Sequence, residues 1–403
     1  MLLSFEEALT TVREELIAAE LAPPVEIVSL AAASSSFLAD DVLADRDYPP
    51  FNRSIRDGYA VRSSEIKTAP VQLVHRGEVR AGEQFPGDVG PGECVEIMTG
   101  APVPAGADAV VMVEHVRVDG SRVEVSRPVG HWENVVVQGS EARAGSVVLR
   151  RGRRLGAGEI GLLASVGHDP ARVFRRPEVA ILPTGDEVVS LDRKPQWFQI
   201  RNSNAQTLAA QVAAAGGRPR PMPIAPDEME SLRRLVREGL ESDLLLLSGG
   251  VSMGKYDFVE QVLSELGAEF SFQSVAIRPG KPLVFGRVAE KYFFGLPGNP
   301  VSTYVTFELF VRPAIAMLSG GDFTLPVLLR ARLGKPFQQK HGLTAFMPAR
   351  VETRDGDPVV DLIGWQGSGD LVGVAAANCF LVVHPAQTEL AAGDWVDVLP
   401  KGQ

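Results

Sequence analysis

The chain has 403 residues, a formal net charge of −10 and 45% apolar against 22% charged residues. At roughly 150 residues per domain it holds two to four domains, and its acidic balance argues against wrapping nucleic acid or lying on anionic lipid. The two cysteines, Cys94 and Cys379, support neither a disulfide framework nor a zinc knuckle and point to a reducing, cytoplasmic setting.

The first residues, MLLSFEEALT, lack the basic and apolar regions of a secretory signal. No apolar run is expected to approach the roughly 20 residues of a membrane span. Ser4 and Glu7 stand at capping-box spacing ahead of Phe5, Ala8, Leu9, Val12 and Leu16, which predicts an opening amphipathic helix. From Ala44 to Gln138, short β-branched runs such as VQLVHRG and RVEVSRPV alternate with glycine and proline turns, predicting an inserted β domain over 44–138. Helical character returns at EIGLLASVG, so a helical linking domain is split over 1–43 and 139–176. Strand and helix patterns then alternate, predicting an α/β domain with a mostly parallel sheet over 177–322. Short strands close the chain over 323–403 as a small β-barrel or sandwich, with a C-terminal β-barrel domain as the expected form.

In an open parallel sheet, ligands sit beyond the carboxyl ends of the strands. Three such ends carry related loops: PTGDE after EVAIL, SGGVSMGKYD after DLLLL, and PGNP after YFFGL. Glycine lets backbone N–H groups approach an anion, and a following helix adds its partial positive charge. Gly185, Ser248, Gly249, Gly250, Ser252, Pro297 and Gly298 therefore read as a phosphate-sized cradle. Asn299 and Pro300 suit the N-cap and N1 positions of the next helix, leaving its first amides for a ligand. The acids Glu187, Asp227 and Asp257 fall at the same edge, and carboxylates facing phosphate call for a hard cation, so Mg²⁺ is expected there. Asp227 also fits as the N-cap of EMESLRRL. Lys281, in RPGKPLVFG, reads either as a solvated turn residue or as a cation for a phosphate or oxyanion. GAGEIG matches a dinucleotide fingerprint without its strand–helix context. The six histidines have no ligand spacing.

Read together, PPFNRSIRDGYAVR, EIMTGAPVPAGADAVV, PTGDEVV, SGGVSMGKYDF, RPGKPLVFG, GLPGNPVS, WQGSGDL and ANCFLVV form an ordered set that resembles the molybdopterin molybdenumtransferases, the MoeA and gephyrin E-domain family. The resemblance covers essentially the whole chain. It implies an elongated homodimer of four-domain subunits, with a central domain like the MogA family and a cleft between the α/β domain of one subunit and the β domain of the other. Its reaction is Mg²⁺-dependent insertion of molybdate into adenylylated molybdopterin with release of AMP. Asp57, Thr99 and Gly100 would reach in from the β domain and Ser368 from the last domain. Arg278, Gly280 and the oxyanion-stabilising Lys281 would join the cradle. The adenylyltransferase that makes the substrate and the molybdoenzymes that receive the cofactor are the implied partners.

Several positions depart from the family's usual pattern. Asn52 stands for an acid, Arg56 adds a cation beside Asp57, and Arg278 stands for a lysine. Val136 and Glu141 fall where an arginine and an aspartate are common. Two other readings are kept beside the enzyme: a catalytically silent molybdopterin carrier, suggested by these departures, and the adenylyltransferase itself, against which the β domain speaks.

Overall fold

The computed structural model describes residues 2–250, 258–339 and 342–402. Ser252 and Asp257 lie outside the described residues. The chain divides into two compact units, one of Met1–Ala39, Gly152–Gly156 and Arg172–Gln403, the other of Asp40–Arg151 and Ala157–Ala171.

The second unit is built on a six-stranded sheet in the order Ala109–Met112, Gly58–Val61, Glu93–Ile97, Val71–Val79, Arg122–Val125, Val116–Asp119. Successive side chains of a strand point to opposite faces. Accordingly Tyr59 and Val61 enter one core with Cys94 and Val111, while Ala60 enters another with Val95, Ile97 and Val110. Both faces of this sheet are thus covered. Gly58 begins the inner strand because a Cβ there would stand 1.9 Å from the carbonyl oxygen of Val111.

The first unit holds the α/β sheet, in the order Arg218–Pro221, Glu178–Pro183, Leu244–Ser248, Lys291–Leu296, Val284–Val288, Ala268–Phe272. The first four strands run parallel and the last two antiparallel. The four leucines of Leu244–Leu247 lie at the sheet's centre and divide evenly. Leu244 and Leu246 pack with Leu208, Val212, Val305 and Phe307, while Leu245 and Leu247 pack with Leu232, Val236, Val259 and Val262. A strand buried on both faces reads as a continuous apolar run for this reason. The opening helix, Phe5–Ala18, carries its capping box and buries Ala8, Leu9, Val12 and Leu16 in the same core as the leucines.

The C-terminal strands Leu329–Leu333, Thr344–Arg354, Asp357–Leu362, Cys379–Val383 and Trp395–Pro400 close into a five-stranded barrel, sealed by pairing of Thr344–Arg354 with Cys379–Val383. A short strand from the α/β region, Ile277–Arg278, adds to this barrel in parallel, with Arg278 opposite Ala345.

One expectation fails here. Pro300–Leu318 is a 19-residue helical stretch long and apolar enough to cross a membrane, but 72% of its most apolar window is buried inside the protein. Val301, Val305, Phe307, Phe310 and Val311 belong to the α/β core. Its carboxylate, Glu308, pairs with Arg312 at 2.6 and 3.1 Å and accepts from Gln211 Nε2 at 2.6 Å, the partners a buried charge requires. The run is apolar because it is a core helix. Truncating the central strand by Leu246→Ala should cost about 2–5 kcal/mol, read as a lowered urea midpoint for the transition that reports the α/β sheet.

Candidate active site

Three parallel strands end at one level. Pro183 pairs with Ser248, and Ser248 with Leu296, so the loops beginning at Thr184, Gly249 and Pro297 leave the sheet side by side. The Thr184 N–H donates to the Ser248 carbonyl at 3.0 Å and the Gly249 N–H to the Leu296 carbonyl at 3.2 Å. Gly249 and Gly250 both have positive φ, +96° and +63°. A Cβ on Gly249 would meet the Thr184 carbonyl at 2.9 Å, and one on Gly250 the Thr184 Oγ1 at 2.9 Å. Two adjacent glycines are needed because the neighbouring loop occupies the space of both side chains. A residue that sequence reasoning passed over ties the cradle together: Asn204 Nδ2 donates to Ser248 Oγ at 3.0 Å and to the Gly298 carbonyl at 2.8 Å. Its signal was its place in the first turn of Ser203–Ala215, capped by Asn202, at the edge where the strands end.

The Pro300–Thr306 helix starts as expected, with Asn299 at the N-cap and Pro300 at N1. Its first amide is not free, however. Val301 N–H donates to the Ser368 carbonyl at 2.9 Å, and Asn299 Nδ2 donates to Ser368 Oγ at 2.9 Å instead of capping the helix. An anion at this terminus would therefore meet Ser368 as well as the helix.

The acids are arranged differently from the expectation. Asp227 is not the N-cap, a position held by Glu228 without a side-chain bond. The Asp227 N–H donates to Asp186 Oδ1 at 3.1 Å, so Asp186, which sequence reasoning missed, is the partner. Burial first, then repulsion from Asp186 and Glu187, pushes the Asp227 carboxyl above its ordinary range, against the lowering by its backbone bond to Asp186. Glu187 folds back over Gly185, where a Cβ would lie 2.6 Å from Glu187 Oε2. Among the described residues no three acids, histidines or cysteines form a metal cluster. The donor set nonetheless suits Mg²⁺, which takes one or two carboxylates and completes its shell with water and phosphate.

Arg278 and Lys281 are exposed. The Lys281 carbonyl accepts from Val275 and Leu283, both at 3.0 Å, and Gly280 packs so closely that a Cβ would meet Thr306 Cγ2 at 2.6 Å. The loop is thus held by its backbone while both cations remain in solvent.

In the other unit, Asp57 Oδ1 accepts from the Thr99 N–H and from Thr99 Oγ1, each at 2.7 Å. The backbone bond, then the side-chain bond, holds this carboxyl below its ordinary range. Gly100 N–H donates to the Ser54 carbonyl at 2.8 Å, fixing the turn. Asp57 is therefore an oriented, ionised carboxylate at neutral pH.

Three family models match in series: "MoeA N-terminal region (domain I and II)" over 3–167, "Probable molybdopterin binding domain" over 180–317 and "MoeA C-terminal region (domain IV)" over 330–401. The molybdopterin molybdenumtransferase of Staphylococcus epidermidis is 32% identical over 377 residues, 92% of this chain and 90% of its own. The chain belongs to the molybdopterin molybdenumtransferase family. The Staphylococcus aureus molybdopterin molybdenumtransferase is likewise 32% identical, over 93% of this chain and 91% of its own. The crystal structure of the molybdopterin biosynthesis MoeA protein from Pyrococcus horikoshii is 27% identical, covering 99% of this chain and 100% of that one with a TM-score of 0.80.

Against this family, the unusual residues around Asp57 have structural partners. Asn52 Oδ1 accepts from the Gln138 N–H at 2.8 Å, Arg53 pairs with Glu141 at 3.1 Å, and Val136 lies opposite Arg53 in a two-stranded ladder. Each of these departures thus has its own partner within the unit. Beside Arg56, Asp57 Oδ1 is engaged by Thr99.

The raised pKa of Asp227 has a sign that can be checked. Its ionised form opposes folding above the raised pKa, and the penalty fades as pH falls towards the ordinary value of 3.8. Asp227→Asn should raise stability at neutral pH and flatten its dependence on pH across that window. Millimolar Mg²⁺ should raise the melting temperature of the parent chain more than that of the variant.

Proposed function

We propose that the chain inserts molybdate into the dithiolene of adenylylated molybdopterin and releases AMP in a Mg²⁺-dependent cleavage of the phosphoanhydride. The observation that carries this reading is the common level of the Thr184, Gly249 and Pro297 loops, clamped by Asn204, with Asp186 and Asp227 at their flank. Backbone amides there suit the phosphate and pterin portions, and the acids suit the metal end.

Asp186, Glu187 and Asp227, with Asp257 beyond the described residues, would hold the cation. When bound, Mg²⁺ supplies charge neutralisation and polarises the phosphoryl oxygens. The protein's own part is positional: leaving group and incoming oxyanion are both negative, so exposed Lys281 and Arg278 offset charge as it develops, and the loop amides orient the phosphate. Arg278 offers a planar fork where a lysine offers a point charge. Asp57, fixed by Thr99, positions the molybdate end. No covalent nucleophile is needed, and Cys94 and Cys379 fit that, being buried with thiols pushed up to about 12 and about 11 by desolvation.

A homodimer with a cleft shared between subunits, a reducing cytoplasmic setting, and exchange with an adenylyltransferase and with molybdoenzyme acceptors belong to the same proposal. Purified protein given adenylylated molybdopterin and Mg²⁺ should release AMP only when molybdate is added. Tight binding with no release would favour the carrier reading. Lys281→Ala and Asp57→Ala should each lower kcat by about a hundredfold, the first at unchanged melting temperature and the second with a lowered one, since it also loses both bonds from Thr99; full turnover by either would refute its role.

A further inference from the structure

The PTGDE loop continues into an arm that the reading above leaves unused. Val188–Val189 and Ile200–Arg201 pair in parallel, and the ten residues between them include Trp197 and Phe198. Trp197 is 95% exposed, Phe198 53% and Leu191 51%. The two rings meet edge to face at 5.5 Å. So much apolar surface on a short arm is costly in water unless it meets a ligand or partner.

The arm's two strands are laddered together where it leaves the PTGDE loop and enters the next helix. Ile200 N–H donates to the Glu187 carbonyl at 2.9 Å and Asn202 N–H to the Val189 carbonyl at 2.9 Å. Asn202 in turn caps the helix that carries Asn204, the clamp on Ser248 and Gly298. Trp197 precedes Ile200 by three residues, so their Cα atoms lie within roughly 11 Å of each other at 3.8 Å per step. The loops at 184–187, 248–250 and 297–300 contain no aromatic residue. Over these described residues they supply amides, hydroxyls and acids, while Tyr256, the aromatic of the SGGVSMGKYD loop, lies outside the described residues. Arg193, Lys194 and Arg201 on the arm add positive charge.

We propose that Trp197 is a substrate-positioning residue, stacking on a planar fused-ring nitrogen heterocycle of the ligand held in the cradle. This rests on the function proposed above for its ligand, and the shared chemistry of adenine and pterin leaves the ring to be assigned by experiment. Stacking of a base on an aromatic side chain changes affinity by about tenfold, enough to set KM without touching the reacting atoms.

The test titrates the full chain with AMP and, separately, with molybdopterin lacking the adenylyl group, following tryptophan fluorescence. The parent chain should be quenched by one of them, which identifies the ring. Trp197→Ala should lose that quench and weaken binding of the same ligand by about tenfold, and Trp197→Phe should restore most of the affinity. In turnover with adenylylated molybdopterin, KM should rise with kcat little changed. Affinities within twofold of the parent for both ligands would overturn the inference, as would a change of oligomeric state in Trp197→Ala, which would assign the arm to a subunit contact. Absence of AMP release by the parent chain would count against the proposed reaction alone, since the titrations do not depend on turnover.

Discussion

The pairing of Pro183 with Ser248 and of Ser248 with Leu296 is the constraint from which the α/β region's chemistry follows. Once three parallel strands stop at the same level, their loops must pass within van der Waals distance of one another. The consequences are visible at single atoms: the Thr184 carbonyl and hydroxyl fill the places where side chains on Gly249 and Gly250 would stand. Glycine there is imposed by Thr184, and at Gly250 also by Val259 Cγ2 at 2.8 Å, before any ligand is considered. The same crowding leaves amides gathered in a small volume, and an anion cradle is what such a gathering can do. Asn204 then joins the second loop to the third, so the cradle does not depend on the loops' own stiffness.

Much of this was legible because each local pattern has a single physical meaning. The capping box of Ser4 and Glu7, the two-faced burial of Leu244–Leu247, and the glycine pair all follow from short-range geometry, while the short C-terminal strands fitted a barrel or a sandwich, and closure by Thr344–Arg354 on Cys379–Val383 decides for the barrel. What failed was long range. Nothing in PGNP says that a loop sixty-odd residues on will supply the Ser368 carbonyl to the Val301 amide. Nothing in PTGDE distinguishes Asp186, which meets the Asp227 backbone, from Glu187, which folds over its own loop. Asn204 was invisible for the same reason, its partners lying in two other segments. The apolar stretch ending at Leu318 escaped because Glu308 and Arg312 interrupt it in sequence, while in the fold they neutralise each other and leave the helix free to be buried.

The positions that depart from the family's usual motifs carry a related lesson. Taken singly, Asn52, Val136 and Glu141 look like losses. In the folded unit each has a partner, with the Gln138 amide on Asn52, Arg53 on Glu141, and Arg53 opposite Val136 on the ladder. Meanwhile Asp57 keeps both bonds from Thr99. The carboxylate of Asp57 is held by Thr99 and not by any of these positions.

The short strand Ile277–Arg278 has a wider implication. It ends one residue before the turn that presents Lys281, yet its hydrogen-bonding neighbour is the barrel strand Thr344–Arg354. Two cations beside the α/β sheet are thus tied through the backbone to a barrel strand whose Phe346 lies in one core with Leu246. Sheet and barrel belong to a single compact unit. Heat that loosens the barrel is accordingly felt by the central sheet, and one cooperative transition would report on both.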